Sequence, residues 1–456
     1  MRARRLGRLA ADERAAALCD PGTFVAEHGA VASALADVPA GDGLVLGVGL
    51  VAGRPVSVIA TDGRVHRGAL GQVGGTLAAR AVREATRAGR PVALLLDADG
   101  ARQAEGVPAV LASADWLAAL ADASGHVPLV AAVLGVAGGA AAYGAALCDH
   151  VVMLRDRSFA FVAGPPVVAA ALSEASDLEA LGGSALHAAT SGLAHLVVDD
   201  DRAALAAIVR ILSYLPSNAW SLPPIAAATA PTRDGFTLAP PHLPADARPI
   251  LEALLDAEGW LELGQAFGPS IMTGLARVDG RAIALVASQP AVMGGAIDQA
   301  AAQKLARFVR LAAAFNLPIV TLCDTPGFLP GRAEEARRQL VHGAKVISAY
   351  AEARRTVPLV SIVLRRAVGA GAVLAYGADL VLACAGGEVV QMGPAAAAAA
   401  GVSAGPAPNG DPEASGFAHR TIDPRYARAE LARSLARLRA PTPAPPGARK
   451  HCLVPL

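Results

Sequence analysis

The feature that most constrains this chain of 456 residues is that its two halves carry the same landmarks, in the same order, at a nearly constant spacing. Gly53 in VAGRPVSVIA matches Gly280 in VDGRAIALVA, 227 residues later; Pro91 matches Pro318, and Asp97 at the end of VALLLD matches Asp324 at the end of IVTLCD, both at 227. Pro128 and Pro358, and Asp149 and Asp379, keep a spacing of 230, while Gly164-Pro165 and Gly393-Pro394 keep 229. Landmarks drifting by so little imply two copies of one unit of about 200 residues, within the usual size of a domain. Each copy reads strand, strand, helix, strand, glycine turn, helix, strand. Continuous apolar runs such as VALLLD and PLVSIVL alternate with helical periods such as AAQKLARFVRLAAAF, so the fold class is α/β with buried strands. The expected boundaries are 1–215 for the first copy, a proline-rich connector over 216–248, and 249–456 for the second.

Composition removes several classes of function. Lys plus Arg number 40 against 39 for Asp plus Glu, a net charge of +1, which leaves no excess for gripping nucleic acid. Hydrophobic residues at 54% and charged residues at 17% exclude disorder and supply large cores. Aromatics at 4% leave Ala, Val and Leu to fill them. The cysteines (Cys19, Cys148, Cys323, Cys384, Cys452) form no CxxC pair, so neither a disulfide framework nor a metal site is expected. The basic start has no apolar h-region and reads as an amphipathic helix of a cytoplasmic protein. The uncharged run from Val127 to Leu147 is long enough to span a bilayer, but its glycines and alanines after VPLVAAVL fit a buried strand, a turn and a helix.

Both copies end a buried strand in acid and glycine (LLLDADGAR, TLCDTPGFLPG). Both follow the next strand with a turn of small residues opening a helix, at Ala137-Gly138-Gly139-Ala140 and at Gly369-Ala370-Gly371-Ala372. Such turns serve close helix packing, or they let a ligand approach bare N–H groups that hold a developing negative oxygen. Their recurrence at corresponding places in a duplicated unit favours the second use. No GxSxG elbow, HExxH, Walker A or strand-associated GxGxxG is present, and His66, His126, His150, His187, His342 and His419 are scattered. A site made of backbone donors leaves little side-chain signature.

Asp324-Thr-Pro-Gly-Phe-Leu-Pro-Gly331, followed by HGAKVISAYAEARRTVPLVSIVLRR, resembles the signature of biotin-dependent acyl-CoA carboxyltransferases, the beta subunits of propionyl-CoA and related carboxylases. CDPGTFVAEHG, GRPVSVIATDGRV, QPAVMGGAID and RKHCLVPL extend the resemblance over almost the whole chain. It implies a tandem crotonase-like fold in a homo-oligomer, a dimer or hexamer, with no metal on this chain. It also implies acyl-CoA on the N-terminal domain of one subunit and carboxybiotin on the C-terminal domain of its partner. Biotin carboxylase and biotin carrier would come from a separate alpha subunit. By motif, Gly138 and Gly139 would serve the acyl-CoA enolate, and Ala370 and Gly371 the biotin carbonyl. Ala137, Ala140, Gly164, Val368, Gly369, Ala372 and Val373 would line the substrates. Arg102, with Glu105, reads equally as a site wall or as a surface ion pair. Asp324 is expected to fix its turn, and Arg365 and Arg366 to face solvent.

The sequence also departs from that family. RKAYGGAY with a following aspartate appears as Arg365-Arg-Ala-Val-Gly-Ala-Gly-Ala-Val373, so Val368 and Ala372 replace tyrosines and Val373 the aspartate; the pocket widens and loses two hydroxyls. DSGGAR appears as Asp97-Ala-Asp-Gly-Ala-Arg102, and GGSLG as Arg67-Gly-Ala-Leu-Gly71. A helical stretch expected after Met392-Gly-Pro is replaced by a short Gly/Pro-rich segment that reads as a loop. These changes keep two other readings open: a biotin-independent acyl-CoA decarboxylase or related acyl-CoA enzyme, and a non-catalytic pseudo-subunit.

Overall fold

The continuous apolar runs become central strands. The computed structural model describes residues 8–456 except 28–30, 34, 241, 376, 402–411 and the side chains of 394 and 395. It divides into two compact units, Met1–Ser221 with Ala444–Pro455, and Leu222–Pro443. In the first, the sheet runs in the order Val25–Ala26, Leu44–Val51, Arg54–Thr61, Val92–Ala98, Leu129–Gly138, His150–Leu154, Leu196–Val198, with Phe159–Phe161 pairing on Leu129–Gly138. Neighbours are antiparallel as far as Arg54–Thr61 and parallel beyond it. Parallel strands covered on both faces need no polar alternation, and Val92 to Leu96 are all fully buried.

The second unit repeats this plan: Trp260–Leu263, Ile271–Val278, Arg281–Ser288, Ile319–Thr325, Leu359–Val368, Leu380–Cys384, Arg420–Ile422, with Glu388–Val390 on Leu359–Val368. The repetition extends to single hydrogen bonds. Thr61 Oγ1 accepts the Asp97 N–H at 2.7 Å and Ser288 Oγ the Asp324 N–H at 3.1 Å. Asp149 and Asp379 each accept the N–H of the residue opening the preceding strand, Leu129 or Leu359, at 2.8 Å. His195 and His419 Nδ1 each accept an N–H of the next-to-last strand of the sheet, of Val151 and Val381, at 3.0 Å.

Small residues allow tight layering. A Cβ on Gly75 would stand 2.8 Å from Ala112, so helices Gln72–Ala88 and Val107–Ala123 meet backbone to backbone. The Val127–Leu147 run is the strand Leu129–Gly138, a turn and the helix Ala140–Ala146. Among the described residues no helix is long and apolar enough to cross a membrane. The basic start contributes the helix Ala11–Leu18, whose Arg14 is buried against Asp201 at 2.8 Å.

The proline-rich connector holds no helix before Arg248–Leu254 among its described residues, and its Ala226 N–H donates to Gly280. Residues expected with the second copy instead complete the first unit. Ala444 donates to Ala219, and Leu453 exchanges hydrogen bonds with the Ser124 hydroxyl. The Arg449 guanidinium takes the Ser124 carbonyl at 3.0 Å, satisfying a group beyond the end of helix Val107–Ala123. In the segment read as a loop, Pro394–Ala399 is helical, and 402–411 lie outside the described residues.

Candidate active site

The Leu129–Gly138 strand turns at Gly139, whose φ of 49° lies in the left-handed region that favours glycine, and the helix Ala140–Ala146 begins at once. The Gly139 N–H is donated to the Phe161 carbonyl at 3.0 Å, so it is not offered to a ligand. Ala140 follows as the first helical residue, and its N–H has no intrahelical acceptor. Gly100 stands opposite with φ 88°; a Cβ there would lie 2.8 Å from the Gly138 oxygen and 3.5 Å from the Ala140 nitrogen. Only glycine lets the acid-and-glycine strand end close on this turn.

The two segments form the floor of a cleft of about 1330 Å³, entirely within the first unit. The structure brings Arg102, Gly138, Gly139, Ala140 and Gly164 to its walls. Ala137 is fully buried in the strand, paired with Ala160 and Ala98. Gly100 was not singled out from the sequence, although its recurrence as Gly327, 227 residues later, was the available signal.

In the second unit the strand Leu359–Val368 ends at Gly369, with φ 53°. Strand register makes Val368 the counterpart of Gly138, since Val368 pairs with Val390 as Gly138 pairs with Phe161. Gly139 therefore corresponds to Gly369, and Ala140 to Ala370. The expected equivalence of Ala137–Ala140 with Gly369–Ala372 is thus displaced by two residues: the left-handed glycine, not the glycine count, marks the turn. Gly327, with φ 110°, sits opposite as Gly100 does; a Cβ there would lie 3.0 Å from the Val368 oxygen. Gly371 is packed so closely that a Cβ would stand 2.7 Å from Gly327 Cα. Ala370 is exposed, while Val368, Gly369, Ala372 and Val373 are half-buried. One detail differs between the copies: the Thr325 hydroxyl accepts the Gly327 N–H at 3.0 Å.

The charged groups are placed less as expected. Arg102 borders the cleft but is not a surface pair, because its charge is taken up by buried partners. Its guanidinium is 2% exposed and held by Asp42, by Glu105 at 2.8 Å and by the Ala69 carbonyl at 2.8 Å. Against the cost of burial, the Gln72 N–H and Arg102 hold the Glu105 carboxyl below the usual carboxylate range. Arg365, expected in solvent, is 3% exposed and donates Nε to Asp324 at 2.5 Å; its Nη1 donates to the Pro240 and Leu243 carbonyls, both at 2.9 Å. Burial pushes the Asp324 carboxyl up, and Arg365 opposes it. At the mouth of the first cleft, Arg67 is paired with Asp99. Among the described residues no cluster of three or more His, Cys, Asp or Glu could hold a metal ion.

Comparison with known proteins agrees with this duplicated geometry. Residues 2–404 match the family described as carboxyl transferase domain. The chain is 36% identical over 420 residues to the propionyl-CoA carboxylase beta chain of Saccharopolyspora erythraea, covering 86% of this chain and 76% of that one. It is also 36% identical over 409 residues to the methylmalonyl-CoA decarboxylase subunit alpha of Propionigenium modestum, covering 86% and 78%. Among solved structures, the transcarboxylase 12S hexamer with methylmalonyl-coenzyme A and methylmalonic acid bound superposes with a TM-score of 0.90 at 31% identity, over 100% of this chain and 94% of that one. Two crotonase-like α/β units, each closing a glycine turn on a strand-end glycine, and a family match over most of the sequence make this chain a member of the carboxyltransferase family.

Proposed function

We propose that the chain is the carboxyltransferase (beta) subunit of a biotin-dependent acyl-CoA carboxylase, moving carboxylate from carboxybiotin to the α-carbon of an acyl-CoA. The observation that carries this reading is the repeated turn: Gly139 and Gly369 at φ 49° and 53°, each faced by a strand-end glycine, Gly100 or Gly327. In the first unit the Ala140 and Gly100 N–H groups converge on the thioester oxygen and hold its charge as the enolate forms, taking over the role expected of Gly138 and Gly139. Donors fixed where charge develops need no reorganisation in the transition state.

The second turn fits the ureido group of biotin. Ala370 and Gly371 open the short helix Gly369–Leu374, where N–H groups lack acceptors, and the small side chains of Val368, Ala370 and Ala372 stand at this turn. Carboxybiotin, delivered as a substrate on a carrier subunit, supplies the carboxyl group and the ureido nitrogen that takes the α-proton. Val373 makes the neighbouring wall apolar. Helices Val107–Ala123 and Gln339–Ala353 are apolar and exposed at equivalent positions, Val110 (58%) and Leu111 (64%), and Leu340 (77%) and Val341 (43%), which supports a homo-oligomer in which the first turn of one subunit works with the second turn of its partner.

Mixed with a biotinylated alpha subunit, the chain should turn over ATP in a manner dependent on acyl-CoA; no turnover across short-chain acyl-CoAs would sink the assignment. Likeness to a methylmalonyl-CoA decarboxylase subunit favours one second reading, decarboxylation of an acyl-CoA, and the missing tyrosines at 368 and 372 are the motive for its running without biotin. Release of CO₂ from malonyl- or methylmalonyl-CoA by the chain alone would select it.

A further inference from the structure

The duplication exposes one residue that its own counterpart shows to be costly. Arg67 sits in the turn before Gly68 with φ 56° and ψ 33°, a left-handed conformation that only glycine adopts without penalty. The equivalent residue of the second unit, 227 positions later, is Gly294, in nearly the same conformation at φ 63° and ψ 18°. Strain retained where the sister copy avoids it points to a use for the side chain. That side chain is 83% exposed, lines the cleft of the first unit, and is paired with Asp99, itself 22% exposed. The counterpart of Asp99 is Pro326, so both members of the pair belong to the first copy alone.

The pair stands beside the turn. Asp99 donates its N–H to the Arg67 carbonyl at 3.2 Å, and a Cβ on Gly138 would meet the Asp99 backbone at 3.4 Å. Asp99 is adjacent in sequence to Gly100, which faces Ala140. The guanidinium is thus within reach of whatever extends from a thioester held at that turn. The phosphates of coenzyme A, at the far end of the pantetheine arm, are many bonds away.

We infer that Arg67 is a specificity-determining residue that selects acyl-CoA esters carrying a carboxylate on the acyl chain, with Asp99 holding the guanidinium in place until substrate arrives. This rests on the reading of the cleft as the acyl-CoA site. A planar guanidinium offers five donors, so one edge stays available to a second carboxylate while the other keeps Asp99. A hydrocarbon chain of the same shape gains nothing from it.

The test is calorimetric binding of isosteric ester pairs to the full chain: malonyl-CoA against isovaleryl-CoA, and succinyl-CoA against 4-methylpentanoyl-CoA. The wild-type chain is expected to bind the carboxylate member of at least one pair about tenfold or more tightly. Arg67→Gly should erase that preference while leaving the melting temperature unchanged or higher, because glycine relieves the strained turn. Asp99→Gly should weaken the preference, because the guanidinium loses the partner that holds it beside the turn. Equal affinity within both pairs, or a preference that survives Arg67→Gly, overturns the inference and leaves the cleft as an acyl-CoA site. If neither the esters nor free coenzyme A bind at all, the reading of the cleft fails along with it.

Discussion

Asp324 and Arg365 form a buried ion pair, Nε to Oδ2 at 2.5 Å with each side chain 3% exposed, and the first copy builds the same corner differently. There the counterpart of Arg365 is Gly135, and Asp97 is approached at 3.7 Å by Arg14 from the first helix. Removing one partner of a buried pair leaves the other charge uncompensated. Arg365→Met should therefore destabilise the second unit by about 3–5 kcal/mol, and adding Asp324→Asn should recover part of the loss. Urea denaturation of the two variants reads this directly; equal stability of Arg365→Met and wild type would show that the pair is dispensable.

The tail that closes the first unit depends on one hydroxyl. Ser124 Oγ donates to the Leu453 carbonyl at 3.1 Å and accepts its N–H at 2.9 Å, at a site only 2% exposed. Ser124→Ala leaves both backbone groups without that partner and should cost about 1–3 kcal/mol. A chain ending before Arg449 should show a loss in the same direction. The checking measurement is the shift in urea midpoint.

Lys304 predicts a pH dependence. Its side chain is 7% exposed, with Nζ donating to the Gly264 carbonyl at 3.1 Å. Burial lowers its pKa from 10.5 to about 7, only partly opposed by Glu262 and Asp298. Between those two values the unfolded chain binds the additional proton, so this residue makes stability rise with pH from about 7 towards 10.5, and its penalty is greatest at lower pH. Lys304→Met should raise stability by about 1–3 kcal/mol near pH 6, with the gain shrinking as pH approaches 10. Thermal melts across that range would show it; a gain that does not change with pH would rule out titration of the amine as its cause.

How much of this was legible beforehand varied with the kind of interaction. The two-copy α/β plan followed from Pro91, Pro318, Asp97 and Asp324, because a buried parallel strand must be continuously apolar and its end must be marked by turn residues. The turns were legible as glycine-rich, but not their register, since GGA and GAG carry no sign of which glycine is left-handed. That became visible only from Gly139 and Gly369 and the pairing of Val368 with Val390. The burial of Arg102 and Arg365 left no local sign because several of the groups that hold them, Asp42 and the Pro240 and Leu243 carbonyls, lie 60 and more residues away in sequence. The return of residues 444–455 to the first unit has the same origin: long-range hydrogen bonds leave no local pattern.

The most direct test of the backbone-donor mechanism removes a single N–H. Ala140 is the first residue of its helix, a position where proline is well accommodated, so Ala140→Pro deletes the proposed enolate donor while preserving the helix. Transfer of labelled carboxyl from bicarbonate to acyl-CoA should be measured with the biotinylated alpha subunit present, alongside binding of the CoA ester. The expected result is a fall of about 10²–10³ in the transfer rate, with the ester still bound. Transfer at the wild-type rate in a folded Ala140→Pro chain would contradict the assignment of that N–H to the enolate oxygen.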